Sequence, residues 1–270
     1  DPEMSRGLGD VYKRQVLLLS LNAPAYADNL TTSTEEEIST VYGIPKSIFE
    51  TLPTDIQSSL TNDIENIIDY STQTTYIKVS HTDSGERISS QSTYQDYLKA
   101  STLSDPDEND WMRVQASIIN KGSYAQVSAA YTWLTRPAFR MNDVIGLSLT
   151  QGTIQDNTAD GFYTYTTAKG SVTTEFSDTP SKFDYEGHGL VRKVVLAKPD
   201  YPVNNDFMFM KANIYKEGRS EGLNGTYGHQ RVSMALSPSF NIDRSGVLSC
   251  VGVNIGMTYD QFKGYTSIAW

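Results

Sequence analysis

The apolar positions change period along this chain. Ile56, Leu60, Ile64, Ile67 and Ile68 fall on one stripe of a 3.6-residue period. Pro53, Thr54 and Asp55 supply a start signal, and the early acid suits the positive end of the helix dipole. Ile48, Phe49 and Leu52 predict a shorter helical turn ahead of it. From Trp111 onward the period is two. Met112, Val114, Ala116 and Ile118 share one face of a strand, and Val127, Ala129, Tyr131 and Trp133 one face of the returning strand, with Lys121-Gly122 as the turn. Lys169-Gly170 joins a second hairpin, residues 162–166 and 172–176, where glycine supplies the positive φ. Residues 144–149, 190–197, 207–215, 231–236 and 247–257 read as further strands. Phe207-Met-Phe-Met210 and Val194-Val-Leu196 are apolar on both faces, which predicts central, covered strands. The fold class expected is mainly β: an antiparallel β-sandwich, jelly-roll-like, with a short N-terminal helical segment.

The segments outside this domain read differently. Residues 5–15 look like the translation of a sequencing-library adapter, so 1–15 are set aside as adapter-derived. Residues 16–27 read as a truncated signal peptide: the apolar stub 16–21, then Pro24, then the small-x-small Ala25-Tyr26-Ala27, with cleavage between Ala27 and Asp28. Residues 28–43, with Glu35-Glu36-Glu37, are expected to be an acidic flexible tail. Residues 44–110 are assigned to the helical segment and an acidic linker. That linker includes a strand at 74–80, a turn at Asp83-Ser84-Gly85, a helical turn at 94–100 and an acidic loop at 105–110. The sandwich domain is placed at 111–270.

Charge sharpens this division. The 270 residues hold 32 acidic and 22 basic side chains, a net charge of −10. Residues 28–110 carry 16 acids and 4 bases, whereas 111–270 carry 13 acids and 15 bases. The acidic total argues against nucleic acid as a partner. The nearly neutral domain still leaves room for an anionic wall polymer at a local basic patch, for which Arg192 and Lys193 are candidates. One cysteine excludes an internal disulfide, and Cys250 reads as a buried thiol in a strand. No apolar run approaches the roughly 18 residues of a membrane helix.

The search for chemistry yields little. Gly218-Arg-Ser220-Glu-Gly222 fits G-x-S-x-G, but a nucleophile elbow needs a helix after the serine, and the segment to Gly228 reads as a glycine-rich loop. His81, His188 and His229 have no zinc-ligand spacing, and the loop Asp105-Pro-Asp-Glu-Asn-Asp110 lacks the glycine and distal glutamate of a calcium loop. No catalytic, cofactor-binding or metal-ligating residue is assigned, and no cofactor is expected. Exposed aromatics on a β-sandwich suit stacking on sugar rings. Tyr163 and Tyr165, which share a strand face, are the candidates.

Residues 131–137, 140–146, 226–230 and 237–241 (Tyr-Thr-Trp-Leu-Thr-Arg-Pro, Arg-Met-Asn-Asp-Val-Ile-Gly, Thr-Tyr-Gly-His-Gln and Ser-Pro-Ser-Phe-Asn) resemble a group of exported β-rich proteins from Gram-positive bacteria. The resemblance implies a secreted β-rich domain and brings no catalytic residues with it. The expectation is a secreted protein that binds a cell-wall polymer or glycan without catalysis. The alternatives are a secreted polysaccharide hydrolase with a carboxylate pair and a toxin-like, membrane-acting β-protein.

Overall fold

The computed structural model describes residues 30–81, 87–103, 110–137, 139–176, 184–185, 187–231, 239–250 and 258–270. The adapter-like and signal-like stretches with Ala27 and Asp28, the turn at 83–85, most of the acidic loop, and the strand residues expected at 232–236 and 251–257 lie outside them. In chain order the elements are α1 (Leu30–Tyr42), α2 (Lys46–Phe49), α3 (Thr54–Ile64), β1 (Asp69–His81), β2 (Arg87–Ser92), α4 (Tyr94–Leu103), β3 (Asp110–Asn120), β4 (Ala125–Trp133), β5 (Asn142–Leu149), β6 (Thr153–Ile154), β7 (Asp160–Thr167), β8 (Gly170–Phe176), β9 (Asp184–Tyr185), β10 (Gly189–Val195), β11 (Val203–Tyr215), β12 (Ser220–Gln230), β13 (Phe240–Ile242), β14 (Leu248–Cys250) and β15 (Tyr259–Ala269).

Among the described residues the strands form two facing antiparallel sheets. Sheet A runs β2-β1-β3-β4-β11-β7-β8, with β6 added on β11; sheet B runs β15-β12-β5-β10-β9. The alternation read from the sequence fills the space between them. Met112, Val114, Ala116 and Ile118 of β3 and Val127, Ala129, Tyr131 and Trp133 of β4 meet Ile145, Leu147, Leu223, Tyr227 and Phe262 of sheet B. Gly225 and Gly264 are register partners on β12 and β15. A Cβ at Gly225 would come within 2.8 Å of Ala129 Cβ, and one at Gly264 within 2.9 Å of Val114 Cγ1, so the sheets close to a narrow waist there.

Sheet A is apolar on its outer face as well. Phe207 and Phe209 of β11, Phe162 of β7, Ala130 and Ile119 point away from sheet B, and α1 to α3 cover them with Ile38, Val41, Tyr42, Ile48, Phe49, Leu60 and Ile64. The two-sided run 207–210 is therefore central, as its pattern requires. Val195 departs from its expectation: it is 68% exposed while Val194 and Leu196 are buried, because it ends β10. A third layer forms on sheet B, where Phe240, Ile242 and Leu248 of the β13–β14 hairpin cover Val144, Val191 and Tyr259.

Four sequence expectations are corrected. Residues 28–43 are not a flexible tail throughout, since α1 buries Ile38, Val41 and Tyr42 completely against sheet A. Gly43, at φ +70°, ends that helix and leaves room for Gln115, which a Cβ there would meet at 2.6 Å. The sandwich begins at Asp69 rather than 111, because β1 pairs with β3 from Asp69↔Asn120 to Val79↔Asp110. The strand read at 74–80 is the second half of β1, whose polar, Thr-rich sequence hid its length and its place in the sheet. The glycine-rich stretch after Arg219 is not a loop but β12, a central strand of sheet B, where missing side chains permit close packing. The helix α3 also stops at Ile64, since Asn66 takes φ +59°, leaving Ile68 exposed.

A polar network closes one end of the inter-sheet core. Asp143 of β5 accepts hydrogen bonds from Tyr227 Oη and from the Gln230 amide (3.0 Å), and faces His229 Nδ1 at 3.0 Å. Trp133 Nε1 donates to Tyr227 Oη at 2.9 Å. Burial, then the Asp143 charge, hold the Tyr227 phenol far above its ordinary range, so it remains a donor. Asp143 and His229 are fully buried. Asp143→Ala strips an acceptor from this network and is expected to cost about 3–5 kcal/mol in urea unfolding; a loss below about 1 kcal/mol would show that the network is not structural.

Candidate binding surface

The residues singled out from the sequence do not form one site. Tyr163 is 4% exposed, faces the core and donates to Asp206 Oδ1 at 2.6 Å. Tyr165 packs beside it, ring centroids 5.9 Å apart. Alternation on β7 points both rings inward, which corrects their assignment as surface stacking residues. Arg192 and Lys193 are neighbours on β10 and so face opposite sides of sheet B: Arg192 lies 5.0 Å over the Phe176 ring, Lys193 5.8 Å over Phe240. They cannot share one patch. Ser220 begins a strand rather than an elbow, and the adjacent buried Glu221 accepts from the amides of Thr150, Gln151, Gly152 and Gly222, a structural duty. His188 Nε2 lies 3.1 Å from the Ile242 carbonyl oxygen, which ties sheet B to its covering hairpin. Cys250 is half-buried, and burial pushes its thiol up.

Carboxylates do gather in one place. A cleft of about 160 Å³ between α3 and the outer face of sheet A is lined by Asp55, Asp160 and Glu175 above Ile56, Leu60, Phe162 and Phe209. Lys211 sits at its side, paired with Asp63 and 3.7 Å from Asp160. Burial raises the Asp160 carboxyl, and the Lys211 ammonium partly offsets this. Lys211, Lys121, Arg113, Gln115 and Gln126 all reach from sheet A to α1, α3 or the turn after α1, so the cationic side of this cleft serves to anchor the helices.

A surface group that the sequence did not single out lies at the β2 edge of sheet A. Tyr76 of β1 and Tyr94 and Tyr97 of α4 bring their rings within 5.4–6.5 Å of one another, and Tyr97 meets Trp111 edge-on at 5.6 Å. Trp111 is buried beneath them, whereas Tyr94 is 49% exposed, and Ile88 of β2 and Leu98 of α4 are exposed as well. The phenol hydroxyls of these three tyrosines make no hydrogen bond among the described residues. Ser90 and Ser92 of β2 stand on the same face, opposite Lys78 and Tyr76. The register also sets Tyr76 opposite Arg113 and Lys78 opposite Trp111, so rings and cations alternate. Burial lowers the Arg113 guanidinium from its ordinary range.

The turn into α4 holds this group together. Thr93 Oγ1 accepts from the Asp96 amide at 3.1 Å, and Asp96 Oδ2 accepts from the Thr93 amide (3.0 Å) and hydroxyl (2.7 Å). This is a reciprocal cap with Asp three residues after the capping threonine. The Thr93 contacts hold Asp96 below the usual carboxylate range. The signal Thr-x-x-Asp was present in the sequence. What it could not show was that Tyr94 and Tyr97, three apart on one helical face, would land on Tyr76 of a strand.

No family model and no curated protein matches this chain. Solved structures that align with it include one titled a pore forming protein, at 6% identity over 74% of this chain and 92% of that one, TM-score 0.31. Clostridium perfringens delta-toxin aligns at 8% identity over 76% and 93%, TM-score 0.30. A collagen adhesin from S. aureus aligns at 9% over 75% and 85%, TM-score 0.25. At these scores the likeness carries no argument about fold or function.

A carboxylate with a lowered pKa stabilises above its ordinary value, and that contribution is lost as pH falls through the lowered one. Near-ultraviolet tyrosine dichroism from the α4 cluster should therefore persist from neutral pH down to the ordinary carboxylate range and decline below it. Asp96→Ala should show the weakened signal already at pH 7. An unchanged tyrosine signal in that variant would show that the cap does not hold the cluster.

Proposed function

We propose that this is an exported, non-enzymatic protein that acts by binding a glycan or wall polymer at a cell surface, through the tyrosine-lined face of β1, β2 and α4. The observation that carries this reading is the Tyr76–Tyr94–Tyr97 group, held by a helix cap and packed over Trp111 with its outermost ring left half in solvent. Tyrosine loses little side-chain entropy on binding and combines an apolar ring with a polar tip. Such rings stack on the C–H face of a sugar, and the Ser90 and Ser92 hydroxyls and free phenols supply neutral hydrogen bonding around them. An exposed aromatic and aliphatic patch of this kind marks an interaction surface.

The reading is tested by binding of the full chain to a glycan array and to purified cell walls. Tyr94→Ala removes the exposed ring of the group and should weaken binding about 30-fold, the equivalent of about 2 kcal/mol at a central contact, with the far-ultraviolet spectrum unchanged. Binding that is insensitive to Tyr94, or no binding to any glycan or wall, would overturn it.

A further inference from the structure

The same face carries two cations that no acid neutralises among the described residues. Some buried or half-buried bases pair with acids, Arg140 with Asp206 at 2.7 Å, Lys211 with Asp63 and Arg231 with Asp260 at 3.3 Å, while Lys121 and Lys216 bond to carbonyl and amide oxygens. Among the described residues, neither Arg113 nor Lys78 has a carboxylate within ion-pair distance. Arg113 donates only through Nη2, to the Gly43 carbonyl (2.7 Å) and Thr132 Oγ1 (3.2 Å). Its Nε is buried without an acceptor, and Nη1 has none. Lys78 Nζ stands 5.9 Å from the centroid of Trp111. A guanidinium withdrawn from water without a counter-charge gains from any anion that docks beside it, and its fork suits the paired oxygens of a carboxylate or phosphate. Tyr76 lies beside both cations, across from Arg113 and two residues from Lys78 on the same face.

We propose that this face binds an acidic sugar polymer, with a ring against Tyr76 and Tyr94 and an anionic oxygen group between Arg113 and Lys78. The proposal rests on the tyrosine-face reading above and adds the charge of the ligand to it. The chain's net charge of −10 repels a polyanion at a distance. At physiological ionic strength that repulsion is screened beyond about 8 Å, while contacts at the face itself remain.

The test measures binding of the full chain to dextran, polygalacturonate and phosphorylated dextran, with phosphatidylglycerol vesicles as a fourth probe. An acidic polymer should bind about tenfold tighter than dextran, the gain expected of a charge-assisted contact. Whether polygalacturonate or phosphorylated dextran shows it identifies the anionic group. Lys78→Gln should remove most of the preference without changing thermal stability. Arg113→Gln should remove it too, but also loses the tether to Gly43, so Lys78→Gln is the deciding variant. Equal binding of dextran and both acidic polymers, or a preference unchanged in Lys78→Gln, overturns the acidic ligand; if Tyr94→Ala still weakens binding, the tyrosine-face reading stands alone. Binding to vesicles above all three polymers overturns both in favour of a lipid surface, and no binding to any probe overturns both.

Discussion

A sheet that is apolar on both faces cannot end a protein. At the centre of sheet A, β4, β7 and β11 send Met208, Met210, Tyr131 and Tyr163 one way and Phe207, Phe209, Phe162 and Ala130 the other. Left in water, each outward phenylalanine would cost about 1.5–3 kcal/mol. The helices α1 to α3 meet that demand, and the polar residues around the apolar patch become their tethers: Gln126 to Tyr42, Gln115 to the Thr40 carbonyl, Arg113 to the Gly43 carbonyl, Lys211 to Asp63. The segment from Ile38 to Ile64 is thus a layer of the fold. Where its cover stops, at β1 and β2, the outward residues turn into tyrosine, lysine and serine, and a short capped helix brings two more tyrosines.

The parts of the fold that were legible in the sequence are those whose pattern of apolar positions is set locally. The alternation in β3 and β4, the glycine turns at Gly122 and Gly170 and the doubly apolar run at Phe207 all report local geometry, which neighbouring residues encode. Three elements were hidden, wholly or in part, for three reasons. The first helix is rich in Glu and Thr, and its few apolar residues gain meaning only from the phenylalanines they cover. The first strand is polar because it lies near the sheet edge, with Ile77 and Val79 its buried apolar contribution to the inter-sheet core. In β12 the glycines that suggest a loop are the places where a facing sheet comes close.

The candidate site was less legible than the fold. Tyr163 and Tyr165 were chosen for sharing a strand face, but that face turned out to be the interior. Arg192 and Lys193 were chosen for adjacency, which in a strand guarantees opposite faces. The residues that do gather come from β1, α4 and β3, and sequence separation conceals such a group until the register Tyr76↔Arg113 is known. The Thr93–Asp96 cap was the one local clue, since it fixes where α4 starts and hence which face its tyrosines share.

The glycine waist has a bearing on that face. Val114 fills the notch opposite Gly264, with Gly225 nearby, and Arg113 is the next residue along β3, pointing the opposite way. A strand held tightly on one side has little freedom to roll about its axis. The outward direction of Arg113 is therefore registered from behind, by the glycine backbone of sheet B. Sheet B thus serves as a backing plate for the proposed tyrosine-lined face, at a point where the two sheets come close.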